Sequence, residues 1–534
     1  MKNCVANFYM SFLRVHDVLS FQMRAGVMAF LLVWAGMPNM AMAATTTVCD
    51  MAALNSTISS AGPGDVIKMC NGTWNNSKIV FQVNGTSSGP ITLKAETPGK
   101  VFLTGSSQLY IAGRFAVVDG LVFKGRYTGS DFGIIRFQNE KSGSCSDCRL
   151  TNVSVLEYNP SDSAKNTKWV IMHGARNRVD HSHFRGKTNL GAMVQIKRDG
   201  SGVPNYHRID HNFLEKRPDI PSTTNVNGDT LEIGSQGKYA FEESRSIIEY
   251  NYLLDINSDY EVITVKSSGN TVRYNVLDSS VGVLSLRQGT NNLIDGNYII
   301  GRGKSGTGGV RITGSGHTIV NNYIVGINPG KTDSKSPIIL SSGTDVLQAT
   351  EAGLPSFYHY PVAENITVAH NTVVDSGLGI IIGQGNRVRP PRNVKINANL
   401  FLRTGGVCVD DLHSGPNIDF LDNVCHAATN SSSTPGFYNF NPELRADGSG
   451  IFRPGAGSRV VNGTSTKAIS GLKDMDGQAR VGAYDLGADE FVSGSKGRGP
   501  IEICETGPRT YGNGGACAGS IQPAPKSPTN LSIL

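Results

Sequence analysis

Ile248-Glu249-Tyr250-Asn251-Tyr252 and Val272-Arg273-Tyr274-Asn275-Val276 carry one pattern twice: apolar, polar, variable, asparagine, then aromatic or apolar. The pattern recurs at Ile209-Asp210-His211-Asn212-Phe213 and Ile294-Asp295-Gly296-Asn297-Tyr298, and later copies centre on Asn322, Asn371, Asn399 and Asn423. From Asn251 onward the asparagines advance by 22 to 28 residues, with one step of 49 that spans about two units. A repeat of this length marks a solenoid, because one such unit cannot bury its apolar face alone. The units hold short strands with no helical pattern between them. The expected fold is therefore all-β, a single-stranded right-handed parallel β-helix. Strands on successive coils lie about 4.8 Å apart, so asparagines at one turn can form an internal hydrogen-bonded ladder.

Toward the N-terminus, residues 66–69, 91–93, 101–103 and 116–118 are short apolar runs broken by Gly, Asn and Asp, and read as strands and turns. Ahead of them, Met51, Leu54 and Ile58 fall at helical spacing behind Asp50, a capping residue. This N-terminal helix is expected to cap the first coil, whose sheet edge would otherwise stand open. Arg24, the apolar residues 25–37 and Ala41-Met42-Ala43 read as a signal peptide over residues 1–43, which implies a secreted or periplasmic protein. Residues 44–490 are then expected to form the β-helix domain, with residues 491–534 a tail and linker. No later apolar run is long enough to span a membrane. Of nine cysteines, Cys4 leaves with the signal peptide. The other eight fall as sequence neighbours, Cys49 with Cys70, Cys145 with Cys148, Cys408 with Cys425 and Cys504 with Cys517, and an even count in an exported chain reads as disulfides. The net charge of +6 favours an anionic partner, while the lack of a Lys/Arg block argues against nucleic acid.

Within the repeats, Asp259-Tyr260-Glu261-Val262-Ile263-Thr264-Val265-Lys266 reads as a strand from its β-branched run. Alternation points Lys266, Arg287 and Arg311 outward, and their steps of 21 and 24 residues are about one coil each. They are expected to stack on one outer face, where three cations make sense if an anion lies across them and acids flank them. Glu261 and Lys266 differ by an odd number, so a straight strand would put them on opposite faces; a bulge near Val262 is expected to restore one side. Two insertions stand out, one between Asn212 and Asn251 that carries Asn227-Gly228-Asp229, the other over residues 328–362. Long loops on a rigid solenoid commonly carry function. Taken singly, each residue has an ordinary reading: Asp259 and Glu261 a solvated edge, Lys266 a guard on an exposed strand, Asn227-Gly228-Asp229 a turn. The shared register sets the group apart.

Asp259-x-Glu261-(x)4-Lys266-Ser267, Leu286-Arg287-x-Gly289 with Gly296-Asn297, and Gly309-Val310-Arg311-Ile312 with Gly316-His317 resemble polysaccharide lyase family six, the family of alginate lyases and chondroitinase B. Gly64-Asp65-Val66-Ile67 and Asn71-Gly72-Thr73-Trp74 extend the likeness, which covers most of residues 49–425. The resemblance implies a parallel β-helix that cleaves uronate polysaccharides, alginate foremost, by β-elimination with calcium. It assigns Lys266 as the base, Arg287 as the proton-donating position, and Asn227, Asp259 and Glu261 as calcium ligands. Arg311, His317, Gln288 and Lys187 fall on the substrate side. Three positions depart from the pattern: Asp259 where Glu is common, Gln288 where His is common, and Glu232 where a basic residue is expected.

The chemistry asks for these groups independently. A proton beside a carboxylate is very weakly acidic, and a cation on that carboxylate stabilises the charge that develops. The base must be neutral, and calcium with Arg287 is expected to push Lys266 below its ordinary value. Arginine does not deprotonate in proteins, so Arg287 is better suited to supporting the leaving oxygen, with a proton relayed through water. Dermatan or chondroitin sulfate as substrate, a uronate epimerase, and a glycan-binding solenoid that has no need of Lys266 remain as alternatives. The oligomeric state is left open.

Overall fold

The computed structural model describes residues 43–220, 228–234, 239–330, 335–344, 360–384, 387–402, 405–426, 435–465, 469, 471–494 and 497–512. Asn227, Cys517 and the segment before residue 43 lie outside them.

Strand alternation builds the wall of the molecule. Leu231, Ile263, Leu284, Val310, Ile338 and Ile380 occupy one inward row, paired coil on coil and fully buried. Such rows on three sides produce three parallel sheets. The first runs from Thr45–Val48 to Ile418–Leu421, the third from Gly72–Asn75 to Phe437–Tyr438, and the second contains Glu261–Lys266. Each strand pairs with the strand one coil away, as the expected parallel β-helix requires. Helix α1, Met51–Ser60, buries Leu54 and Ile58 at the open end of the stack. Asp50 caps it by accepting the Ala53 N–H at 2.8 Å.

The asparagine ladder forms at the corner between the first and third sheets. From Asn212 through Asn251, Asn275, Asn297, Asn322, Asn371 and Asn399 to Asn423, each Nδ2 donates to the next Oδ1 at 2.9–3.0 Å. The same oxygens accept a backbone N–H, so each asparagine closes the buried turn of the coil before it. The variable residue ahead of each asparagine turns the corner in the left-handed region, with φ near 54° at His211 and Tyr250 and 53° at Tyr274. Its side chain points outward, and these rings form a column: His181–His211 at 4.8 Å, then His211–Tyr250 and Tyr250–Tyr274 at 5.3 Å.

A second ladder supports the corner between the second and first sheets. Asn177, His207, Ser246, Asn270, Asn292 and His317 follow one another, each backbone N–H donating to the next side chain. Disulfides join Cys49–Cys70, Cys145–Cys148 and Cys408–Cys425, as neighbour pairing predicts. After the last coil the chain runs back along the corner between the first and third sheets. Asn321 Nδ2 donates to Lys473 O at 2.7 Å, Arg498 lies 4.4 Å from the Tyr250 ring, and Gly507 N donates to His211 O at 2.9 Å. Tyr511 reaches the early coils, its hydroxyl donating to Asn152 O at 2.7 Å. No helix among the described residues is long and apolar enough to cross a membrane.

Candidate active site

The outer face of the second sheet carries the site, and two breaks in strand register shape it. Glu261 pairs with Val283 but Ile263 pairs with Leu284, so Val262 is the extra residue expected there. Val265 then pairs with Leu286 and Lys266 with Gln288, which leaves Arg287 as a second bulged residue. Together the bulges bring Glu261, Lys266 and Arg287 to one side. Arg311 pairs with Ser285, two positions short of Arg287. The expected straight column of three cations is therefore a staggered one: the bulge advances Arg287, and Arg287 and Arg311 come to Glu261 from different coils.

A cleft of about 670 Å³ covers this face, and Asp229, Asp259, Glu261, Lys266, Arg287 and Arg311 are among the residues lining it. Glu261 Oε1 accepts from Ser285 Oγ at 2.9 Å and Arg311 Nη1 at 3.2 Å, and Arg287 Nε stands 4.0 Å away. Lys266 Nζ donates to Asp229 Oδ2 and Glu232 Oε1, both at 3.2 Å. Gln195 Nε2 holds the other oxygen of Glu232 at 2.6 Å, and Thr264 Oγ1 donates to Asp229 Oδ1. Asp259 ties the first insertion to the strand: its carboxylate accepts the Gly228 N–H at 2.8 Å and the Tyr260 N–H at 2.6 Å.

Electrostatics here differ from the sequence expectation. Burial pulls the Lys266 ammonium toward neutrality, but the carboxylates of Asp229, Glu232 and Glu261 outweigh it and raise Lys266 above the ordinary lysine value. Burial, followed by the Asp229 carboxylate, raises Glu261, against the pull of Arg311, Lys266 and Arg287. Arg287 Nη1 and Arg311 Nε are buried and have no acceptor among the described residues. The Arg287 guanidinium lies 3.6 Å from the Tyr360 ring centroid and that of Arg387 lies 3.7 Å from it. One face has room for one guanidinium at that distance, so the ring is held between the two.

Other sequence candidates fall elsewhere. Lys187 is fully buried, and its Nζ donates to Thr167 O at 2.7 Å, Asn189 Oδ1 at 2.6 Å and Leu190 O at 3.2 Å. All three protons are used inside the fold, so the expected substrate contact is corrected. His317 is corrected likewise: its Nδ1 accepts the Asn292 N–H and its Nε2 donates to Thr313 O, both at 3.1 Å, on the inner corner. Burial pushes this imidazole down to about 4. Gln288 is buried beside Lys266 and does not line the cleft. Asn227 lies outside the described residues. Conversely, Asp229, Tyr260, Lys335 and Tyr360 line the cleft without having been singled out. The signal for Asp229 and Tyr360 was their position in the two insertions.

A family profile described as Chondroitinase B matches residues 48–409. A search of curated proteins gave no match. Among solved structures, the PL6 family alginate lyase AlyGC is 31% identical with a TM-score of 0.69; the alignment covers 77% of this chain and 55% of AlyGC. This chain thus spans about half the length of that relative. A mannuronic acid specific polysaccharide family 6 lyase from human gut microbiota is 29% identical with a TM-score of 0.68, covering 74% of this chain and 91% of that one. A PL6 alginate lyase in complex with a trisaccharide shares the fold at 22% identity and a TM-score of 0.65, covering 78% and 92%. With its bulged strand, staggered cations and profile match over most of its length, the chain belongs to the chondroitinase B family, polysaccharide lyase family six.

Proposed function

We propose that this protein is an exported lyase that cleaves a uronate-containing polysaccharide, alginate foremost, by calcium-assisted β-elimination. One observation carries the reading: beside a buried lysine, Arg287 and Arg311 keep donor atoms without acceptors in a cleft. Buried donors of this kind call for an anionic partner. The likeness to AlyGC, named an alginate lyase, supports alginate as substrate. The signal-like segment and the disulfides support export.

Carboxylate oxygens facing one cleft are the donor class that a hard divalent cation takes. Asp229, Asp259 and Glu261 offer carboxylate oxygens to one cleft, where burial, followed by the Asp229 carboxylate, raises Glu261. Asp259 and Glu261 would hold calcium, with Asn227 as the further ligand implied by the family resemblance. Calcium held there would set positive charge against the substrate carboxylate and draw the acids' pull away from Lys266. Lys266 then takes the proton from the carbon next to that carboxylate. Asp229 and Glu232 stabilise the ammonium so formed. Arg311 and Arg287 orient the sugar acid through their open donors, and Arg287, kept flat by Tyr360, supports the glycosidic oxygen as its bond to the sugar breaks and the carbon–carbon double bond forms; that oxygen takes its proton from water. The Arg287 guanidinium stays charged throughout.

The test follows ultraviolet absorbance of the unsaturated product from alginate and from dermatan sulfate, with and without a chelator. A rise with alginate that the chelator abolishes is expected. A rise with dermatan sulfate alone would move the substrate assignment, and no rise with either polymer would leave an epimerase or a binding protein. Lys266→Ala should remove the rise while alginate binding persists; unchanged turnover would reject the base.

A further inference from the structure

The outward row of the second sheet continues past the cleft toward the early coils. Strand pairing carries it from Arg311 and Ser285 to Glu232, then through Gln195 and Ile171 to Arg136. Arg136 stands five strands from Ser285, about 24 Å at the spacing of paired strands. Its guanidinium lies 4.2 Å from the buried Tyr110 ring and 5.2 Å from that of Phe132, a residue 52% exposed. Arg136 is in no ion pair among the described residues, and its Nε is buried without an acceptor. The acids nearby are occupied: Asp131 Oδ2 accepts from Gln108 Nε2 at 2.6 Å and from the Tyr110 hydroxyl at 2.9 Å, and Glu140 pairs with Lys78. Two lysines flank the row between Arg136 and the cleft. Lys168 opens the strand Lys168–Met172 and Lys197 follows the strand Val194–Ile196, so they stand on opposite sides of the row. Neither is in an ion pair among the described residues. Burial, then the charges of Lys197 and Arg136, push the neighbouring His173 imidazole down to about 4, which places both cations within reach of one ring. Glu232 interrupts the row with an acid, but its two oxygens are taken by Lys266 and Gln195.

We infer that Arg136, with the exposed Phe132 and the flanking Lys168 and Lys197, is a distal subsite for an acidic sugar, several units along the polymer from the ring that reacts at Lys266. An exposed aromatic ring beside an unpaired guanidinium suits a sugar acid. The aromatic ring takes the apolar face of the sugar, and the guanidinium takes the carboxylate through paired N–H donors. The inference rests on the lyase reading, since the row leads into the cleft and a chain lying along it occupies both. It adds a length requirement that the reaction centre alone does not impose. A trisaccharide engages the cleft and stops short of Arg136, while an oligomer of eight units spans the row.

The test compares kcat/KM for uronate oligomers of three and of eight units, using the full mature chain. In the wild type the longer oligomer should be the better substrate by at least five-fold. In Arg136→Ala and in Phe132→Ala that advantage should fall to within two-fold. Calorimetric binding of the same two oligomers to Lys266→Ala, with and without Arg136→Ala, reads the advantage without turnover. Circular dichroism verifies the fold of each variant, and Arg136→Gln, which keeps the stem over Tyr110, takes the place of an Arg136→Ala that does not fold. A length advantage that is absent from the wild type, or that survives either substitution in folded protein, would overturn the subsite and leave the lyase reading standing. A wild type that cleaves no uronate polymer would overturn the lyase reading, while the calorimetric comparison would still decide the subsite.

Discussion

At the residue scale the site turns on how Lys266 is charged. Three carboxylates raise it, so in the free protein it is held as an ammonium. Removing one of them should make the neutral base more available at a given pH. Glu232→Gln keeps the shape and the Gln195 contact while losing one charge 3.2 Å from Nζ. The acid limb of the kcat/KM profile is expected to move to lower pH by about one unit; a limb that stays in position would mean that another group controls it. Parity along the strands made Lys266, Arg287 and Arg311 visible in the sequence. Asp229 was visible only as part of an insertion and not as a partner of Lys266, because Asn-Gly-Asp reads as a turn and its bond to Thr264 spans 35 residues of chain. Lys187 and His317 were misread because a motif match gives a position along the chain and not the direction of a side chain at a corner.

At the element scale the ladders and bulges do the positioning. The asparagine period and the odd spacing of Glu261 and Lys266 were enough to expect one ladder and one bulge. The second bulge was not legible, because it appears only when Lys266 is seen to pair with Gln288 and not with Arg287. In the first ladder Asn275 Oδ1 accepts both the backbone N–H and the side-chain amide of Asn251. Asn275→Ala would leave the buried Asn251 N–H without this acceptor, while the Asn251 amide keeps Ile209 O and Glu249 O, and would also remove the bond from Asn275 to Asn297; chemical denaturation should read a loss of about 3 kcal/mol. A loss below about 1 kcal/mol would mean that water replaces the amide. The second ladder carries a pH dependence. His317 has an ordinary value near 6.5 and is pushed down to about 4, chiefly by burial. The unfolded chain binds this proton first, so the stability it contributes above 6.5 is lost as pH falls toward 4. Asparagine occupies the same rung at Asn270 and Asn292. Relative to its difference at pH 7.5, His317→Asn is expected to gain on the wild type by up to about 3 kcal/mol between pH 6.5 and 4. A difference that stays flat with pH would show that His317 is not proton-linked.

At the scale of the whole molecule, a solenoid is held by contacts between adjacent coils, so distant coils are coupled only through those between them. The returning segment is the exception. Arg509 N donates to Asn152 Oδ1 across 357 residues, and Tyr511 and Arg498 reach the early and middle coils. It lies along the corner between the first and third sheets, while the cleft is on the second. Removing residues 497–512 would uncover the Tyr250 ring and the backbone carbonyls of His211 and Asn152. Loss of one buried tyrosine, one cation–π contact and a few hydrogen bonds amounts to about 4 kcal/mol. The truncated chain should therefore unfold at lower urea, with separate transitions for early and late coils where the wild type has one. Lys266, Arg287 and Arg311 draw their register from neighbouring coils, so KM for alginate should remain within two-fold of the wild type. A single transition at the wild-type midpoint would deny the segment its role as a clamp, and a large rise in KM would show that the far corner does reach the cleft.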